Sequence, residues 1–177
     1  MNTDLIHEYM TAEEGSSFSG LFQPGLVYFR LLDPNISFCK HIEGLFQGII
    51  VNISFNSGSV TDFTEPESDN KVYGVSDKLN PELINTLKYL KGVEVVILHS
   101  AFNSPISIKF IRQLAELSID NEIPIVFSEC VDIETYSAKT ASYFSVIADV
   151  RQDTDLIVDV IKDRNNPIRE YHCSLIP

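Results

Sequence analysis

The chain has 177 residues, 44% of them apolar and 21% charged, which predicts one globular domain with a sizeable core. Twenty-five acidic residues against 13 basic ones give a net charge of −12, a surface that repels phosphate backbones and argues against independent DNA or RNA binding. Cys39, Cys130 and Cys173 are odd in number and far apart, so they indicate neither a disulfide framework nor a zinc site and fit a reducing compartment. The polar, acidic start does not read as a signal peptide, and no apolar run approaches the roughly 20 residues that a spanning helix needs.

Residues 1–22 read as a flexible or partner-ordered N-terminal arm, polar and carrying the cluster Gly15-Ser16-Ser17. Within it Phe18, Leu21 and Phe22 form an apolar group that either tucks onto its own domain or inserts into a neighbouring subunit. A single α/β domain is expected over residues 23–177. Leu26 to Leu32 predicts a strand stopped by Asp33-Pro34, and Ile36 to Ile42 a short helix. Ile49 to Phe55 is an apolar run that enters the polar loop Asn56-Ser57-Gly58-Ser59, and the whole loop extends over 56–70. A β-rich run entering a Gly/Ser loop is how a phosphate-binding loop begins, yet no Gly-Lys-Ser/Thr follows anywhere in the chain. From His41 to Asn70 there is no Lys or Arg to meet a phosphate.

Asn80-Pro81 opens a helix with a cap and a proline at its first position; Leu83, Ile84, Leu87 and Leu90 follow at helical spacing, and Gly92 closes it. Val93 to Leu98 is a buried strand of parallel type, Ser104-Pro105 starts a helix reaching about Asn121, and Ile123 to Phe127 is another buried strand. Tyr136 to Phe144 predicts a short helix. Val146 to Val150, Leu156 to Ile161 and Tyr171 to Ile176 predict three strands. Alternating strands and helices imply a parallel sheet, and the closing strands imply an antiparallel extension of it.

Several of these stretches resemble the ATPase core of RecA-type recombinases and their paralogues, in degenerate form. Asp33-Pro34 through Gly44-Leu45-Phe46-Gln47-Gly48 looks like that family's lead-in, which puts Asn56 to Thr61 at the phosphate loop, with Ser57, Gly58, Ser59 and Val60 as its vestige. Val93 to Ser100 is similar to the second nucleotide-motif strand, with His99 at the metal-side aspartate. Ile123 to Val131 is similar to the strand that senses the γ-phosphate, with Glu129 at the polar sensor. Lys162-Asp163-Arg164-Asn165-Asn166-Pro167 is similar to a turn near the family's C-terminus.

The resemblance implies an α/β, RecA-like three-layer core with a mainly parallel sheet and antiparallel C-terminal strands. The lost phosphate and metal ligands imply a pseudo-ATPase: no catalytic residue, cofactor or metal. By the same resemblance the expected role is a non-catalytic subunit in homologous recombination and DNA repair. It would pair with another recombinase paralogue, act on a recombinase filament and meet DNA only indirectly. Its setting would be the nucleus, or the cytoplasm if the protein is prokaryotic or viral, with no membrane.

Arg151, Lys162, Arg164 and Arg169 make the C-terminal region the most basic part of the chain and are candidate contacts to DNA phosphate or an acidic partner, or a solvated hairpin face. The alternative function is a small nucleotide-binding module or enzyme with a site at the strand ends His99, Glu129 and Asp132. Cys130 beside them is a conceivable nucleophile or a small buried residue. A third reading is an inhibitor whose acidic surface mimics nucleic acid.

Overall fold

The structure is a computed structural model that describes residues 6–10, 18–33, 36, 38–55, 70–76, 78–133 and 137–175. Its elements are β1 (Ile6–Met10), β2 (Gly25–Leu31), α1 (Phe38–Glu43), β3 (Ile49–Ser54), β4 (Lys71–Val75), α2 (Pro81–Tyr89), β5 (Val93–His99), α3 (Ile108–Asp120), β6 (Pro124–Glu129), α4 (Ala138–Ala141), β7 (Phe144–Gln152), β8 (Leu156–Asp163) and β9 (Glu170–Leu175). Short 3₁₀ turns stand at Phe18–Leu21 and Ala101–Asn103.

All the described strands join one nine-stranded sheet in the order β1-β9-β8-β7-β2-β6-β5-β3-β4. From β4 to β7 the neighbours run parallel, and β8, β9 and β1 continue antiparallel. The chain leaves β2 for β3 and β4 in one direction across the sheet, then returns through β5, β6 and β7 in the other. Right-handed crossovers put connections of opposite direction on opposite faces. Accordingly α1 packs through Phe38 and Ile42 into one core cluster, while α2 and α3 pack through Ile84, Leu87, Ile111, Leu114 and Leu117 into the other. Period-2 alternation divides the strands between them: Val27, Phe29 and Leu31 face α1, and Leu26 and Tyr28 face α2 and α3.

Local signals fix the helices. Asn80 caps α2 through its Oδ1 on the Leu83 N–H, with Pro81 at the first position as expected. In α3 the cap is Ser107 rather than Ser104, because the helix starts at Ile108 and only Ser107 reaches the Phe110 N–H. That helix ends in a Schellman arrangement, Glu122 N–H to Ile119 O and Ile123 N–H to Ser118 O, with Glu122 at φ 55. Buried Ser118 ties the helix to the sheet by accepting the Gly25 N–H at 2.7 Å and donating to the Gly25 carbonyl at 3.0 Å. Gly25, at φ +136, has no room for a Cβ, which would lie 2.8 Å from Ser145 Oγ.

The structure corrects the expectation for the N-terminal residues. Within the stretch expected to be an arm, 6–10 form the edge strand β1, paired antiparallel with β9. Phe18, Leu21 and Phe22 are buried in the core on the α1 face. Phe18 makes ring contacts with Phe22, Phe29, Phe38 and Tyr171, so these side chains form no free partner-binding surface. The stretch after the expected 56–70 loop, with no element assigned from sequence, is the edge strand β4.

Candidate functional site at the carboxyl edge of the sheet

In an open parallel sheet, ligands bind outside the carboxyl ends of the strands, where successive connections diverge to opposite faces. Here the connection after β2 goes to the α1 face and that after β6 to the α2/α3 face, so one such point lies between β2 and β6. The organising strand is therefore β2. β3, the strand before the expected phosphate loop, lies beside the edge strand β4. The vestigial loop residues Ser57, Gly58, Ser59 and Val60 lie outside the described residues. The segment that enters α1 from the central strand is 32–37, Leu-Asp-Pro-Asn-Ile-Ser, which holds no glycine and no cation.

On the α2/α3 face, Asp149 of β7, Arg30 of β2 and Glu129 of β6 stand in register across the edge. Arg30 turns away from Glu129. Its Nε and Nη2 donate to the two oxygens of Asp149 at 2.7 and 2.6 Å, and its Nη1 donates to Asp132 Oδ2 at 2.9 Å. The Asp149 hydrogen bond raises the guanidinium pKa above its ordinary value against the opposing effect of burial. A two-pronged guanidinium–carboxylate pair has a fixed orientation, so this cation is committed within the chain. Tyr28 Oη also donates to the Val131 carbonyl, so the segment after β6 is fastened twice to β2.

Glu129 is 0% exposed, and its oxygens accept the Phe102 N–H at 3.2 and 3.3 Å. Burial pushes its carboxyl up to about 8, opposed by the Phe102 and Ala101 amides that favour the charged form.

On the α1 face a second row, Ser54, His99 and Ser128, crosses β3, β5 and β6 in register. Cys39 of α1 covers it, with Sγ 3.8 Å from His99 Nδ1. Burial pushes the Cys39 thiol up to about 12, the opposite of what an activated nucleophile needs. Cys130 is exposed, and burial together with the charges of Glu129 and Asp33 raises its thiol as well. Beside this row Glu43, buried at the end of α1, accepts from Asn52 Nδ2 at 3.0 Å and Tyr73 Oη at 3.2 Å and pairs with Lys71 Nζ at 3.2 Å. The first cation after residue 70 is thus taken up inside the fold.

The sheet separates the proposed strand-end trio. Alternation puts His99 on the α1 face, while Glu129 and Asp132 bond on the α2/α3 face. They form no common base or metal site, and among the described residues no group of three or more His, Cys, Asp or Glu is placed to hold a metal.

The basic residues do not form one patch. Arg151 pairs with Glu170 at 3.5 Å near the carboxyl end of β7. Lys162 Nζ and Arg164 Nη2 donate to the Ala141 and Ser142 carbonyls at the C-terminal end of α4. Desolvation and the nearby Arg164 lower the Lys162 pKa. Arg151 and Lys162 lie opposite Ile157 and Ile147 respectively, which separates them by roughly 13 Å along β7. Arg169 bonds its own Pro167 carbonyl at 3.1 Å and lies over the Tyr171 ring. In the turn that links β8 to β9, Asp163 Oδ1 accepts the Asn165 and Asn166 N–H groups at 2.8 and 3.1 Å.

Sequence reading missed Arg30, Asp149, Glu43 and Cys39. The available signal was the isolated charge in two apolar strands, Arg30 in one and Asp149 in the other, with opposite signs.

No family model matches the chain, and no curated protein matches it in sequence. Among solved structures it is similar to the flagellar accessory protein FlaH from Methanocaldococcus jannaschii. The likeness has a TM-score of 0.58 and 7% identity, over 85% of this chain and 84% of that one. It is a likeness of fold, and it supports a RecA-like α/β fold: a mainly parallel sheet with antiparallel C-terminal strands. Among the described residues no helix is long and apolar enough to cross a membrane.

Proposed function

We propose that this chain is a non-catalytic RecA-like protein that acts by binding another RecA-type subunit. The observation that carries this reading is the state of the central strand end. Arg30, the cation of β2 at the carboxyl edge, is held by Asp149 and Asp132, and the segment 32–37 offers neither glycine turns nor a lysine. Phosphoryl transfer rests almost entirely on positioned cations and backbone amides, so a fold that keeps its core and lacks them is suited to being bound. The finer reading is a recombinase-paralogue subunit that assists homologous recombination and repair. It is supported by the likeness of Val93 to Ser100, Ile123 to Val131 and Lys162 to Pro167 to that family's segments.

Two measurements test the proposal. A ligand that binds only the native state raises the melting temperature; millimolar ATP with Mg²⁺ is expected to leave it unchanged, and a clear rise overturns the non-catalytic reading. Co-expression with an ATPase-competent recombinase paralogue is expected to give a stable complex. A monomer that copurifies with neither paralogue nor recombinase sinks the recombination reading.

A further inference from the structure

Glu129 is a buried carboxylate with an unusual set of neighbours. Its partner in register, Arg30, is committed to Asp149 and Asp132, and no ion pair to Glu129 is formed among the described residues. Its hydrogen bonds run instead to the backbone of the 3₁₀ turn Ala101–Asn103. That turn opens the segment 101–107, which walls a cavity of about 390 Å³ at the starts of α2 and α3, with Lys78, Leu79, Ile106 and Phe110 among its lining. Ser100, at φ 60, is the joint between β5 and the clamped turn.

We propose that Glu129 is a proton-operated clamp on the segment 101–107 and, through it, on this cavity. A carboxylate holds backbone N–H groups about twice as strongly as a neutral acceptor does. Proton uptake from solvent forms one O–H bond on Glu129, weakens its hold on Ala101 and Phe102, and loosens the wall; proton loss tightens it. The titratable and charged groups around Glu129 are Cys130, next in the chain, and Cys39 from α1, whose thiols both feel its charge. His99 ends the neighbouring strand on the other face, Arg30 is paired as described, and Lys78 lines the cavity. Burial puts the carboxyl near 8, inside the range where pH changes act on a folded protein.

The test is a backbone amide titration by nuclear magnetic resonance from about pH 6 to about pH 9.5. The Ala101, Phe102, Ile106 and Phe110 amides are expected to move on one curve with a midpoint near 8, and Glu129→Gln is expected to flatten all four. Flat shifts in the unaltered protein overturn the clamp. Persistence of the curve in Glu129→Gln assigns it to another group and overturns it too. Movement of Ala101 and Phe102 with Ile106 and Phe110 fixed removes the cavity from the proposal. Should Glu129→Gln fail to fold, the ¹³C shift of the Glu129 carboxyl in the unaltered protein is decisive. It must follow the amide curve, and a carboxyl already ionised at pH 6 overturns the clamp.

Discussion

Arg30 shows how register decides what a side chain does. Its two neighbours across the sheet are Asp149 and Glu129, and a third carboxylate, Asp132, follows β6. The guanidinium takes the two that sit partly in water, Asp149 at 18% and Asp132 at 47% side-chain exposure, and leaves the buried one to the backbone. Removing one member of a partly buried pair strands its partner. Arg30→Ala is therefore expected to cost about 2–3 kcal/mol in urea unfolding, against under about 1 kcal/mol for Asp132→Asn at its exposed end. Equal losses from both variants would show that the Asp149 half is not the stronger one.

The buried Glu129 carboxyl also sets a pH dependence of stability. Its folded-state pKa of about 8 lies above the ordinary 4.5, so between those values the native chain holds a proton that the unfolded chain has released. That contribution is full below about pH 4.5 and is lost as pH rises through about 8. Urea midpoints are expected to fall from about pH 6 to about pH 9, and to fall less in Glu129→Gln. A midpoint that rises over this interval contradicts the sign.

At the scale of elements, the helix ends carry the clearest sequence chemistry. Asn80-Pro81 caps α2 where read, because a cap is a contact between residues three apart and needs no tertiary context. The end of α3 breaks a local rule: Glu122 occupies the left-handed position that glycine prefers, and it is exposed. Glu122→Gly is expected to stabilise the protein by about 0.5–1 kcal/mol, a rise of roughly 1–4 °C in melting temperature. No change, or a fall, would mean that the Glu122 side chain offsets its strained backbone through contacts elsewhere. The turn from β8 to β9 was reached through the family resemblance, and the structure supplies its local cause: Asp163 satisfies backbone groups two and three residues on. The edge strands β1 and β4 were not legible. Their strand character comes from pairing with β9 and β3, partners distant in the chain or fixed only by folding.

At the scale of the whole molecule, the sheet ends at β1 and β4 among the described residues. An uncovered edge presents unpaired backbone groups to other chains. Deleting residues 1–10 removes β1 and opens β9, so light scattering is expected to show concentration-dependent association that the full chain lacks. A deleted form that stays monomeric over the same range would show that β9 tolerates exposure. The net charge of −12 works against such association through long-range repulsion, so the effect should grow with added salt.

The sequence by itself determined the alternation of strands and helices, the Asn80 cap of α2, the apolar faces and the lack of a Gly-Lys-Ser/Thr loop. These are properties of residues within a few positions of one another, and periodicity and composition record them directly. Only the tertiary structure decided that β2 and not β3 is the central strand, that Arg30 answers Asp149 across 119 positions of chain, and that His99 and Glu129 stand on opposite faces. Strand order is set by which apolar faces can be covered together, a choice made among non-local pairings that local patterns leave open. Once that order exists, a shift of one residue along a strand decides whether a charged side chain meets its partner or the other side of the sheet.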